Sequence, residues 1–179
     1  FFGTNNYFYL PLSGGDLIPY VGHPMGNFNN DDKLDDNAWH FIAVTISGGS
    51  GVESTGKIYL DGALIKTHVN TTTYTPTSRK MIIGKSGDYA GYDYIGNIDE
   101  VSIWDGVVLD ADAIAQLYNS GEPIDLASDS DNYDNSSDLT HWWRMGDGDS
   151  HPTIEDRVGS YDLTMTNMAS GDLEDEVPS

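Results

Sequence analysis

Lys57-Ile58-Tyr59-Leu60-Asp61-Gly62-Ala63-Leu64-Ile65-Lys66 is the stretch on which the fold turns. Two apolar, β-forming runs flank an Asp-Gly pair. Both central positions of a two-residue hairpin turn want positive φ, which Asp and above all Gly tolerate. Such a turn sets Leu60 opposite Ala63 and Ile58 opposite Ile65, so that all four share one face. Register and apolar pattern agree, as they must where one face of a hairpin is buried.

The same reading extends outward. Trp39-His40-Phe41-Ile42-Ala43-Val44-Thr45-Ile46 alternates Ile42, Val44 and Ile46 against Trp39, Phe41 and Ala43. Both faces are apolar, so a central strand is expected. A polar, glycine-rich loop from Ser47 to Thr55 follows it. Met81-Ile82-Ile83-Gly84 reads as a short strand. Gly96-Asn97-Ile98-Asp99-Glu100-Val101-Ser102-Ile103-Trp104 reads as another, with Asp99 in phase with Val101 and Ile103. One helix is predicted, from Ala111 to Asn119. Asp110 suits its N-cap, Asp112 its positive end, and Ile114, Leu117 and Tyr118 its apolar stripe. Gly121 is expected as the C-terminal cap and Pro123 as the stop. Residues 127–138 are Asp, Ser and Asn in quantity and read as a solvated acidic loop. Strands resume over Leu139 to Met145 and Tyr161 to Thr166. The acidic residues 171–179 are expected to fray or to meet a partner.

The chain has 179 residues, which at ~150 residues per domain amounts to about one domain. Apolar residues make up 38%, enough for a core. Eight basic residues against 29 acidic ones leave a formal charge of −21. A polyanion repels nucleic acid and anionic membrane surfaces and attracts cations. No apolar run nears the ~18 residues of a membrane span. With no cysteine, disulfides and thiol chemistry are excluded. The first residue is Phe1, not Met, so N-terminal sequence of unknown length is expected to be missing.

Three segments in order carry a family resemblance. Trp39 to Thr45 resembles a W-H-x-[IV]-A-V-T strand. Gly56 to Gly62 resembles a G-x-[IV]-x-[LV]-[DN]-G hairpin, and Gly96 to Trp104 a G-x-I-D-E-V-x-[IV]-[WY] strand. The helix then follows, with Ala113 where an acid is usual. These are motifs of laminin-G-like domains of the concanavalin A-like lectin/glucanase superfamily. The resemblance implies an all-β fold: an antiparallel two-sheet jelly-roll sandwich with one short helix. Its extent is taken as residues 1–126, with residues 139–170 supplying closing strands of the same sandwich. The tail motifs Leu139 to Asp147 and Asp156 to Asn167 resemble the opening strands of such domains, here set after the closing helix. A truncated second domain is the competing reading. Helix, acidic loop and Trp142-Trp143-Arg144-Met145-Gly146-Asp147-Gly148 in that order also resemble structural proteins of marine bacteriophages.

Related domains hold calcium near the strand of Asp99, so the resemblance makes Asp99 a candidate calcium ligand and Asp162 a second. Against this stands a buried Asp bonded to loop amides. Asp129 to Asp134 lacks the Gly at position 6 and the Glu at position 12 of an EF-hand loop. Tyr89, Tyr92 and Tyr94 crowd one glycine-rich loop and are candidate contacts for a sugar ring or a protein. Trp142 and Trp143 lie on opposite faces of one strand, so Trp142 is a candidate contact as well. Catalysis has little support. The glucanase relatives carry an E-x-D-x-x-E strand with the acid pair of glycoside hydrolysis. Neither Asp99-Glu100-Val101 nor Glu174-Asp175-Glu176 has that spacing. His23, His40, His68, His141 and His151 are scattered. Asn70-Thr71-Thr72 and Asn135-Ser136-Ser137 match glycosylation sequons.

The expectation is a non-catalytic binding or structural module at a virion surface or outside the cell. It would serve decoration, assembly or host adsorption, with other virion or surface proteins as partners in a homo- or hetero-oligomer. A carbohydrate-binding module of a secreted bacterial protein, with glycan partners, is the alternative. A glycoside hydrolase comes third.

Overall fold

The computed structural model describes residues 34, 36–48, 53–70, 82–84 and 94–174, and five two-residue strands before residue 25. Two compact units result: Phe1–Leu60 with Leu64–Gly96, and Asp61–Ala63 with Asn97–Ser179. The architecture is antiparallel β with one short α-helix, in small sheets.

In the first unit β1 (Phe8–Tyr9), β4 (Tyr20–Val21) and β5 (His23–Pro24) form one sheet. β2 (Leu12–Ser13) pairs with β3 (Asp16–Leu17). The main sheet is β6 (Ile42–Ser47), β7 (Ser54–Leu60) and β8 (Ala63–Asn70), in that order. The expected hairpin joins β7 to β8, with Asp61 at φ 48° and Gly62 at φ 76°. Ile42 faces Leu60 and Val44 faces Ile58. Ile58, with no exposure, packs with Leu34, Ile42, Val44 and Ile65. Ile58 and Ile65 of the predicted hairpin face thus enter this core, while Ala63 is exposed and Tyr59, on the opposite face, is itself 1% exposed. Two expectations need correction. Among the described residues the middle strand is β7, not β6. The apolar residues on the other face of β6 had suggested otherwise, but Trp39 precedes the strand and is 41% exposed. Residues 82–84 contain no strand, and Ile82 is half exposed.

The second unit begins before β9 (Val101–Trp104), which is shorter than expected. Glu100 sits at φ 51°, and that left-handed residue breaks the alternation. Asp99 therefore does not share the phase of Val101 and Ile103. The helix α1 (Ala111–Tyr118) starts as predicted, the Asp110 carboxylate accepting the Ala113 N–H at 2.9 Å. It buries Ala113, Ile114 and Leu117. Its end comes at Asn119, in the left-handed region at φ 43°, two residues before the expected Gly121. Asparagine tolerates that conformation, and its side-chain N–H donates to the Glu122 carbonyl at 3.1 Å.

β10 (Leu139–Trp143) pairs antiparallel with β9: His141 faces Ile103, Trp142 faces Ser102 and Trp143 faces Val101. The register shifts between Leu139 and His141. The intervening Thr140 donates its hydroxyl to the Ile103 carbonyl at 2.9 Å. β11 (Thr153–Ile154) pairs with β12 (Leu163–Thr164). The tail strand thus joins the strand of the Gly96–Trp104 motif.

Residues 127–138 keep most of their acids exposed, as a solvated loop would, but the segment is anchored by one ring. Tyr133 is fully buried, gives its hydroxyl hydrogen to the Leu126 carbonyl at 2.9 Å and accepts from Trp104 Nε1 at 3.1 Å. The Trp104 and Tyr133 rings meet edge to face at 6.1 Å. Around this anchor the acids fold back on the chain: Asp125 accepts from Ala127 and Ser128, and Asp129 from the Ser136 N–H. Trp143 and Met165 are buried, whereas Tyr161 is 70% exposed.

Candidate functional site

Pairing of β9 with β10 sets up the polar centre of the second unit. Trp142 and Arg144 are two residues apart and so lie on one face. The last ladder pair is Trp143 with Val101, which brings Arg144 level with Glu100. Glu100 accepts from Trp142 Nε1 at 2.6 Å through one oxygen and from Arg144 Nε at 2.9 Å through the other. The guanidinium stands 5.2 Å above the Trp142 ring and reaches Asp147 at 2.5 Å. Burial works against the Arg144 charge, but Glu100, Asp147 and Asp99 outweigh it and hold its pKa above the ordinary value. Asp99 receives the Glu100 N–H at 2.8 Å. Desolvation pushes its carboxyl up to about 6, with the charges of Glu100 and Asp147 adding to the effect.

A second carboxylate organises the opposite face of β10. The Asp156 side chain is wholly covered. One oxygen accepts the N–H groups of Trp142, Val158 and Gly159 at 2.9–3.3 Å. The other accepts from His141 Nδ1 at 2.6 Å and from the Tyr161 N–H at 3.2 Å. Burial alone would raise its pKa. The His141 bond and the Gly159, Trp142 and Tyr161 amides overcome it and bring the carboxyl down to about 2. An ionised Asp156 accepts only, so His141 carries its hydrogen on Nδ1. The imidazole stacks on Trp143 at 5.3 Å and meets Tyr161 edge-on at 5.3 Å. Trp143 Nε1 donates to the Tyr161 carbonyl at 2.9 Å. Only glycine fits at 159, where a Cβ would collide with Asp156, His141 and the Thr140 carbonyl.

A third group braces the next turn. Arg157 pairs with Asp149 and Glu155 at 2.9 Å each, and donates to the Asp147 carbonyl.

Of the residues singled out in the sequence, Asp99 and Trp142 meet in the Glu100–Arg144 cluster. Trp142 is 6% exposed, its N–H taken by Glu100 and one ring face by Arg144. Asp162 belongs to the other face, accepting the Asp156 N–H at 3.0 Å. Tyr94 is 44% exposed, bonds its N–H to the Gly84 carbonyl at 2.8 Å, and lays its ring against Gly96. Tyr89 and Tyr92 lie outside the described residues. Among the described residues no three His, Asp or Glu converge to hold a metal ion. The carboxylates around Asp99 already face a cation, Arg144, so this donor set does not fit a calcium cage. A rise in Tm specific to calcium over magnesium, and lost in Asp99→Asn, is the measurement that would restore calcium here. The Asp156–His141 and Glu100–Arg144 pairs were not singled out in the sequence. Their signal lay in alternation: His141 and Trp143 on one face, Trp142 and Arg144 on the other.

No curated protein and no solved structure matches the chain. A family model described as the concanavalin A-like lectin/glucanases superfamily matches residues 1–115, ending inside α1 and before the tail strands. That match takes in the hairpin, the β9 motif and the helix start, and with it the chain belongs to the concanavalin A-like lectin/glucanases superfamily.

Proposed function

We propose that this chain is a non-catalytic binding or structural module whose tail strands, within residues 139–170, close a two-sheet jelly roll. The observation that carries the reading is the state of Glu100. Both its oxygens are engaged, by an indole N–H and by a guanidinium. Glycoside hydrolysis needs a nucleophile or base carboxylate free to meet the sugar, and a second carboxyl across the scissile bond. Glu100 instead fixes the end of the β9–β10 ladder, and its near neighbour Asp99 is adjacent in sequence, not across a cleft. The same membership is compatible with hydrolases, so turnover is the test. Incubation with a panel of β-glucans should release no reducing sugar. Release that is abolished by Glu100→Gln would overturn the reading.

Within that reading the module acts at a virion surface, in decoration, assembly or host adsorption. The order of helix, acidic loop and tryptophan-rich strand supports this placement, as does a charge of −21 suited to an exposed, soluble surface. Incorporation of the labelled chain into purified particles is its test. Binding of a defined sugar on a glycan array, with no incorporation, would favour a secreted carbohydrate-binding module instead.

A further inference from the structure

We propose that the turn from Asp156 to Asp162 is a docking point for an arginine side chain on a basic protein partner, with Tyr161 as the ring it stacks on. The proposal rests on the binding-module reading and names the chemistry of the partner. Tyr161 is 70% exposed and yet fixed. Its N–H is held by Asp156, its carbonyl by Trp143 Nε1, and its ring by a T-shaped contact with His141. Holding an aromatic rigidly in solvent removes the ordering cost of using it as a contact. Asp162 curls back to the same place, since one of its oxygens accepts the Asp156 N–H. Its other oxygen has no partner among the described residues. His141 is 24% exposed on its side chain, with Nδ1 committed to Asp156.

The turn therefore offers an exposed aromatic ring next in sequence to a carboxylate with one open oxygen. A matching ligand brings N–H donors on a flat, weakly hydrated cation, which describes a guanidinium. The molecule already uses this arrangement internally. Arg144 lies 5.2 Å over Trp142, with Glu100 accepting from it. At Tyr161 there is an exposed ring with Asp162 as its chain neighbour, and no described arginine covers it. A second copy of the chain is a poor source, because two polyanions of −21 repel each other. A basic partner is steered in by the same field.

The test uses the full-length, 15N-labelled chain at physiological ionic strength. It is titrated separately with blocked Gly-Arg-Gly, blocked Gly-Lys-Gly and cellohexaose. The arginine peptide should shift the Tyr161, Asp162 and His141 resonances at millimolar concentration, and the lysine peptide several-fold less. Tyr161→Ala should weaken the arginine response by about tenfold and Tyr161→Phe should preserve it. Both variants keep the backbone bonds of residue 161, so both should stay folded; Tyr161→Phe, which also keeps the ring contact with His141, should match the parent in melting temperature. Equal shifts from both peptides, spread over the acidic surface, would overturn the proposal by reducing it to bulk charge. An undiminished response in Tyr161→Ala would overturn it too, as would larger shifts from cellohexaose at the same resonances. None of these failures touches the non-catalytic reading, which stands or falls on glucan turnover.

Discussion

At the scale of single residues, Asp99 and Asp156 are the same side chain driven in opposite directions. Asp156 has five donors around it, and its pKa falls to about 2. A depressed carboxyl contributes stability that is present above the unfolded pKa of ~3.9 and is lost as pH falls toward the folded value. Asp156→Asn puts an amide donor among those N–H groups and should cost about 3 kcal/mol at pH 7. The penalty should shrink as the pH of a urea melt is lowered from about 5 to about 2, where the parent carboxyl protonates. A penalty independent of pH would mean that shape, not charge, is what Asp156 supplies. Asp99 has one amide donor and two carboxylate neighbours, and its pKa rises to about 6. For a raised acid the sign reverses. The penalty is absent below the unfolded pKa and complete above the folded one. Asp99→Asn should therefore stabilise the chain by on the order of 1 kcal/mol at pH 7–8, after allowance for solvent screening, and by nothing at pH 4. Thermal melts at the two pH values check this directly.

At the scale of elements, what could be read in the sequence is what depends on short-range pattern. The Asp-Gly pair marked the turn between β7 and β8, and Asp110 the start of α1, because each is decided within four or five residues. The Thr140 register shift, the left-handed Glu100 and the burial of Tyr133 depend on partners tens of residues away. Tyr133 sits among Asp, Asn and Ser that favour turns, and nothing nearby announces that Trp104 will reach it. The acids of residues 127–138 read as a solvated run, yet Asp129 and the preceding Asp125 bond local donors around that one ring. Tyr133→Phe removes the hydroxyl that both accepts from Trp104 Nε1 and donates to the Leu126 carbonyl. It should cost about 2 kcal/mol, since an indole N–H and a carbonyl lose their partners together. Hydrogen exchange should show the loss spreading along residues 125–138 and β9, with β6 and β7 unchanged. A change confined to residue 133 would return the segment to a loose linker.

At the scale of the whole molecule, the family match stops at residue 115, while the buried apolar side chains continue to Met165. Leu126, Tyr133, Leu139, Trp142, Trp143, Ile154 and Met165 all lie beyond the match. Burying each large side chain contributes ~1.5–3 kcal/mol, so seven of them contribute on the order of 10–20 kcal/mol, comparable to the ~5–15 kcal/mol that holds an ordinary domain folded. A chain ending at Ser128 also uncovers the edge of β9 and takes the Tyr133 hydroxyl from Trp104. Open ladder groups on an exposed strand invite association with other chains. The shortened chain is therefore expected to lose the structure of residues 97–128. Its Trp104 fluorescence should shift to the red, and its helix should become open to limited proteolysis. Far-ultraviolet circular dichroism of the full chain should meanwhile show well under a quarter helix. If the shortened chain stays soluble with an unchanged melting temperature and a protected Trp104, then β10 is an accessory to β9, and the tail tryptophans serve some other body.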